Sequence, residues 1–213
     1  IGMKRNSIII AICAMAVVTF TACNESKFRI EGSIANAKDS MLYLENMSLD
    51  GPVKTDSVKL DENGAFSFCG EKPEAPEFYR LRIAAQIINI SIDSTETVTV
   101  KARYPEMASQ YTVEGSENCS KIKELALRQM SLQQKVIEIS QNPMLGVRAT
   151  EDSIQSLVNA YKEDVKRNYI FKEPMKAYSY FALFQTLGNV FIFNPRNDAD
   201  DVKVFGAVAT SWD

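Results

Sequence analysis

Residues 86–102 read Gln86-Ile87-Ile88-Asn89-Ile90-Ser91-Ile92-Asp93-Ser94-Thr95-Glu96-Thr97-Val98-Thr99-Val100-Lys101-Ala102, and their alternation decides the fold. Ile88, Ile90 and Ile92 fall on one side of an extended chain, and Val98, Val100 and Ala102 do so again. A period of two marks a strand with one face buried. Outward from this stretch the same period runs from residue 27 to about residue 114. It is carried by Phe28/Ile30, Leu42/Leu44, Val58/Leu60, Phe66/Phe68, Tyr79/Leu81/Ile83 and Tyr111/Val113. Asp50-Gly51-Pro52 and Asp61-Glu62-Asn63-Gly64 punctuate it as turns, because Gly and Asn accept positive φ at little cost. About eight short strands at roughly ten-residue spacing predict an antiparallel sandwich or partly closed barrel over residues 28–115.

Beyond Gly115 the period becomes helical, so the fold class is α+β. Ser116 is placed to cap a helix showing Ile122, Leu125, Gln129, Leu132, Val136 and Ile139. Thr150 is read as the cap of a second helix, which shows Ile154, Leu157, Val158, Tyr161, Val165 and Tyr169. Pro174 suits the first turn of a third, carrying Tyr178, Phe181, Ala182, Phe184 and Leu187 and stopping at Gly188. A fourth begins near Asp198–Asp201 and shows Val202, Phe205, Val208, Ala209 and Trp212. Residues 116–213 therefore read as a segment of about four helices.

The front of the chain carries an address. After Met3, read as the start, Lys4 and Arg5 precede an apolar run over residues 8–20, the length of a signal-peptide core and too short to span a bilayer. It ends in Phe20-Thr21-Ala22-Cys23, which resembles the bacterial lipobox. That resemblance implies cleavage after residue 22, lipid on Cys23 and a polar tether over residues 23–27. The expected location is the envelope of a Gram-negative bacterium, lipid-anchored and facing the periplasm. Without residues 1–22, which hold two cations and no acid, the net charge moves from −3 to −5.

Composition excludes much chemistry. The 213 residues contain no histidine, which removes Ser-His-Asp and Cys-His nucleophiles and His-ligated zinc. The four cysteines (13, 23, 69 and 119) include no C-x-x-C pair. The acidic balance gives no electrostatic footprint for nucleic acid. No Gly-rich loop feeds a helix, so no phosphate cradle is visible. We expect no catalytic residue, metal or cofactor within this chain. Asn197-Asp198-Ala199-Asp200-Asp201 lacks the glycine and ligand spacing of a calcium loop and reads as a helix cap. Carboxylate-based hydrolysis is a distant reading, since the acids sit at turns, caps and polar faces.

Three further features are candidate sites. Cys69 and Cys119 remain after lipidation and are candidates for a structural disulfide in an oxidising compartment. Asp39-Ser40-Met41, Asp56-Ser57-Val58, Asp93-Ser94-Thr95 and Asp152-Ser153-Ile154 resemble the O-glycosylation motif of Bacteroidetes secreted proteins, making Ser40, Ser57, Ser94 and Ser153 candidate acceptors. Tyr178-Ser179-Tyr180-Phe181 with Phe184 and Phe191-Ile192-Phe193 form an aromatic stripe suited to core packing or domain docking, with an apolar small-molecule groove as the alternative; Tyr178, Phe181, Phe184, Phe205 and Trp212 are the candidate docking residues.

The order of these motifs resembles the front part of a Bacteroidetes lipoprotein family. In it, a β domain of unknown function and a helical segment precede a thioredoxin-like (TlpA-like, AhpC/TSA) domain. The resemblance rests on Phe28-Arg-Ile30-Glu-Gly32-Ser-Ile34-Ala-Asn36, Asp56-Ser57-Val58, Gly64-Ala-Phe66-Ser-Phe68, Tyr178-Ser-Tyr180-Phe181-Ala-Leu183-Phe184 and Val204-Phe205-Gly-Ala-Val208-Ala. It implies that residues 24–213 are the non-catalytic, membrane-anchored region of a periplasmic thiol–disulfide oxidoreductase: a spacer, docking or client-binding module. The W-C-x-x-C domain would follow in cis, and the helix still open at Trp212-Asp213 is read that way. The alternative is a complete envelope lipoprotein that binds a protein, peptide or glycan without catalysis.

Overall fold

Phe28, Ile30 and Ile34 point inward from the first strand and set the face against which two sheets close. The structure is a computed structural model that describes residues 26–48 and 50–212. The signal segment 1–22 and Cys23 lie outside the described residues. Eight strands build the N-terminal half: β1 (Lys27–Ala35), β2 (Met41–Ser48), β3 (Gly51–Lys59), β4 (Ala65–Glu71), β5 (Glu77–Ile83), β6 (Gln86–Ile92), β7 (Thr97–Arg103) and β8 (Tyr111–Glu114). They form two four-stranded sheets, ordered β4-β1-β7-β8 and β3-β2-β5-β6. The inward series read from the alternation is buried as expected: Leu42 and Leu44, Phe66 and Phe68, Tyr79, Leu81 and Ile83, Ile88, Ile90 and Ile92, Val98 and Val100. These side chains share one core, which makes the pair of sheets a sandwich.

One pairing departs from the antiparallel expectation. β1 and β7 run parallel, with Ile30 opposite Val98 and Gly32 opposite Val100. Parallel neighbours need a long connection, and here the whole of β2 to β6 supplies it. Gly32 makes that pairing possible. With φ at 151°, a Cβ there would lie 1.7 Å from the Val100 carbonyl oxygen. Pro52 lies within β3 rather than in the preceding turn; β3 is an edge strand, where a missing N–H is tolerated.

Four α-helices follow: α1 (Glu117–Ser140), α2 (Val147–Val165), α3 (Ala177–Leu183) and α4 (Ala199–Trp212). Ser116 caps α1 as read, its Oγ accepting from the Cys119 N–H at 3.2 Å. Thr150 is not a cap. α2 starts earlier, at Val147 behind an extended Gly146, and the Thr150 N–H donates to the Gly146 carbonyl. A π-helical turn (Lys166–Ile170) extends α2 and sets both Tyr169 and Ile170 inward. Pro174 precedes α3 inside a turn closed by the Lys176 N–H on the Glu173 carbonyl, so α3 begins at Ala177. That helix also stops four residues short of Leu187. Residues 186–191 instead form a two-residue-per-strand hairpin, β9 (Thr186–Leu187) and β10 (Val190–Phe191), around Gly188 at φ 60°.

Both cores are assembled from residues 28–208 and they interlock. Cys119 of α1 packs into the sandwich core, while Phe78 on the outer face of β5 packs against the helical core and stacks on Tyr180 at 5.4 Å. None of the described helices is long and apolar enough to cross a membrane.

Candidate functional site

The helical half carries an aromatic face, and two polar devices hold it in place. The first is at the end of α3. Gln185 is 2% exposed; its amide donates to the Leu125 carbonyl at 3.0 Å and to Gln129 Oε1 at 3.2 Å, and its Oε1 accepts from the Tyr161 hydroxyl at 2.8 Å. Its carbonyl accepts from the Ile192 N–H. Gln129 donates to the Thr186 carbonyl, and Gln133 accepts from the Gly188 N–H, so the hairpin is tied along α1. A side chain so committed explains why α3 ends where it does: the backbone must turn to bury the amide and satisfy it. Burial pushes the Tyr161 hydroxyl up to about 12, so it stays a neutral donor.

The second device fixes α4. Lys162, on α2, donates to Asp198 Oδ2 at 2.7 Å and to Asp201 Oδ2 at 2.8 Å, with the Asp201 side chain fully buried. The Asn194 N–H also donates to Asp201 Oδ2, and the Lys162 ammonium lies 5.6 Å from the Phe193 ring centroid. Burial opposes the lysine charge, but hydrogen bonds and charge from the two aspartates outweigh it and raise its pKa. The Lys162 hydrogen bond in turn holds the Asp198 carboxyl below its ordinary value. Asp198 also caps α4 through the Asp200 N–H at 3.0 Å. These acids, considered above for calcium, are thus engaged by a lysine, and no acidic or thiol cluster with metal-holding geometry occurs among the described residues.

Between these anchors the rings gather. Tyr180 lies 4.9 Å from Phe184 and 5.0 Å from Trp212, and Phe184 meets Phe205 at 6.1 Å and Phe191 at 6.4 Å, both edge-on. The Trp212 indole N–H donates to the Pro174 carbonyl at 3.3 Å. Phe184 and Phe191 remain 46% and 50% exposed, beside an exposed Val190; Phe181, Phe205 and Trp212 are half-buried. Edge-on and tilted packing gives each ring partners without hiding the outer faces. The outcome is a packed cluster of rings in which Phe184 and Phe191 stay exposed.

Of the five aromatic residues singled out in the sequence, Phe184, Phe205 and Trp212 belong to this face, and Phe181 is half-buried against the helical core. Tyr178 does not belong to it: it is 2% exposed, packs edge-on against Tyr169 and donates its hydroxyl to the Glu173 carboxylate. Phase decides this, since Tyr178 and Ala182 are buried while Tyr180 is half-buried and Phe184 exposed. Tyr180 and Phe191, read in the sequence as part of the same aromatic stripe, also belong to this face.

The cysteines do not pair with each other. Cys119 is a free, buried thiol whose Sγ donates to the Ser91 carbonyl at 3.2 Å, whereas Cys69 is exposed on β4. Burial pushes the Cys119 thiol up, which keeps it protonated and inert. Of the candidate glycosylation serines, Ser94 is exposed in the β6–β7 loop and Ser40 half-buried just before β2. Ser57 is half-buried on edge strand β3, and Ser153 lies on α2 with its hydroxyl donating to the Ala149 carbonyl.

A two-sheet sandwich carrying an interlocked helical segment with partly exposed aromatic rings makes this an α+β fold. Residues 28–121 match the family model described as Domain of unknown function (DUF4369). This segment spans all eight sandwich strands and the first turn of α1, ending just past the Cys119 that the sandwich buries. No curated protein matches the chain. Among solved structures, a 9R-lipoxygenase from Cyanothece PCC8801 is similar over 85% of this chain, at 11% identity and a TM-score of 0.27. The chain spans 32% of that structure's length.

Proposed function

We propose that this chain is the lipid-anchored, non-catalytic region of a cell-envelope thiol–disulfide oxidoreductase, in which the aromatic face docks the thioredoxin-like domain. The observation that carries the reading is the partly exposed ring cluster of Phe184, Phe191, Phe205 and Trp212, held in place by Gln185 and Lys162. A surface left apolar but fixed by buried polar bonds suits a preformed interface, since little ordering cost remains at docking. The Cys23 lipid would hold the assembly at the membrane, and the sandwich would set its distance from the surface.

The test has two arms. The native reading frame continued past codon 213 should encode a domain with W-C-x-x-C; a frame without one removes the oxidoreductase reading. On the chain itself, a hydrophobic dye should bind the aromatic face and be displaced by that domain added in trans. Dye binding that persists unchanged in F184S/F191S would overturn the assignment of the face.

A further inference from the structure

The turn over residues 166–176 runs against the charge of the molecule around it. It holds Lys166, Arg167, Lys172 and Lys176 against one acid, Glu173, in a chain whose net charge is −3. Lys166 pairs with Glu163, Lys176 with Glu117 at 3.2 Å, and Glu173 accepts from Tyr178. Arg167 and Lys172 are exposed and make no ion pair among the described residues. With Glu163, Lys166 and Phe171 they line an open groove of about 430 Å³. Phe171 is 51% exposed, and Met175, farther along the turn, is 57% exposed.

The turn is rigid. The Phe171 N–H closes the π turn on the Lys166 carbonyl, and the Ser179 hydroxyl donates to the carbonyls of Tyr169 and Glu173. Its position follows from a ladder of contacts. The Arg29 N–H at the start of β1 donates to the Glu96 carbonyl, and the Asp93 N–H donates to the Glu96 carboxylate. Asn118 donates to Asp93 at 2.8 Å, and its neighbour Glu117 pairs with Lys176. This ladder connects the start of β1 to Lys176, the last residue of the basic, apolar-tipped turn.

We propose that residues 166–176 are a second membrane contact, seating on an anionic phospholipid surface with Arg167 and Lys172 at the phosphates and Phe171 and Met175 among the upper acyl carbons. The charge fits the surface and the exposed apolar side chains fit the interface, and on the lipoprotein reading a tether from lipid on Cys23 would bring the molecule to the bilayer. In one respect this rests on the lipoprotein reading: the tether argument needs lipid on Cys23. The site itself does not.

The experiment uses the chain from residue 24, which holds both cores entire, with vesicles of phosphatidylcholine alone or with about one third phosphatidylglycerol. Sedimentation should show binding to the anionic vesicles only, weakening with salt. R167Q/K172Q should lose about 30-fold, on the basis of about 1 kcal/mol for each cation at such a surface. F171S should lose about tenfold through its buried apolar area. Unchanged melting temperatures would show that the variants remain folded, as expected for exposed side chains. Equal binding to both vesicle types, unaffected variants, or capture of inorganic phosphate or protein without vesicle binding overturns the site. Mass analysis of the Cys23 peptide from cells separates the two readings. Unmodified Cys23 with intact vesicle binding sinks the anchor and upholds the site, whereas lipidated Cys23 without vesicle binding overturns the site alone.

Discussion

Replacing Lys162 with methionine keeps most of the side chain's volume and removes the cation shared by Asp198 and Asp201. The two carboxylates then differ in their options. Asp198 is 44% exposed and can turn to water; the Asp201 side chain has no exposure and keeps only the Asn194 N–H. Removing one partner of a buried pair costs about 3–5 kcal/mol, and the escape of Asp198 places this case near the lower bound, about 3 kcal/mol. For a chain of this size that lowers Tm by about 6–12 °C. Because the pair joins α2 to α4, Trp212 should also loosen from Tyr180 and Pro174. As the only tryptophan, it reports this as a red shift in emission before global unfolding. The double variant K162M/D201N should recover part of the loss, since an amide carries no uncompensated charge. The pH dependence has a definite sign. The folded-state pKa of Lys162 is raised, so its contribution is fully present below the ordinary 10.5 and fades as pH rises through the folded value. K162M should lack that alkaline loss. Thermal melts by circular dichroism with parallel fluorescence settle the matter. A K162M chain melting within about 2 °C of wild type, a shift worth under 1 kcal/mol, would refute the claim that this pair holds α4 in place.

Three other outcomes follow from the packing. G32A should fail to fold or unfold far below wild type on thermal melting, because its methyl would meet the Val100 carbonyl at 1.7 Å in a backbone region that L residues rarely adopt; an undiminished Tm would contradict the β1–β7 register. The Cys119 thiol should resist alkylating reagents in the native chain and react only on denaturation, read by mass spectrometry, while rapid native labelling would show the α1–sandwich junction to be open. Glu45, 5% exposed, is held ionised first by its bond to Arg82, against burial, and further by Arg80. With its folded pKa lowered, that contribution is full above its ordinary 4.5 and is lost as pH falls through the folded value, so E45Q should flatten the acid limb of the stability profile.

The strands were legible because one face of each meets the core, so alternation records burial directly; Ile88, Ile90 and Ile92 are all fully buried. Pairing partners were not legible. The parallel β1–β7 contact joins residues about 70 apart and depends on Gly32, whose role appears only once Val100 lies across from it. In the helical half the apolar stripes of α1 and α2 were read correctly, but the end of α3 was set by Gln185, a polar residue with no period to reveal it. Lys162 sits beside Tyr161 as an ordinary polar-face lysine until Asp201, 39 residues later, closes over it. The aromatic face was half legible: composition flagged the rings, yet helical phase sent Tyr178 inward and the hairpin brought Phe191 out. Sites assembled by polar bonds between distant segments leave little trace in local pattern, whereas strands and stripes do.

The most direct measurement of the central claim is hydrogen–deuterium exchange on the product of the native gene compared with residues 24–213 alone. If the aromatic face docks a thioredoxin-like domain, peptides covering residues 180–191 and 202–212 should exchange more slowly in the native product, with the sandwich strands unchanged. Identical exchange in those peptides in the two proteins would contradict the account.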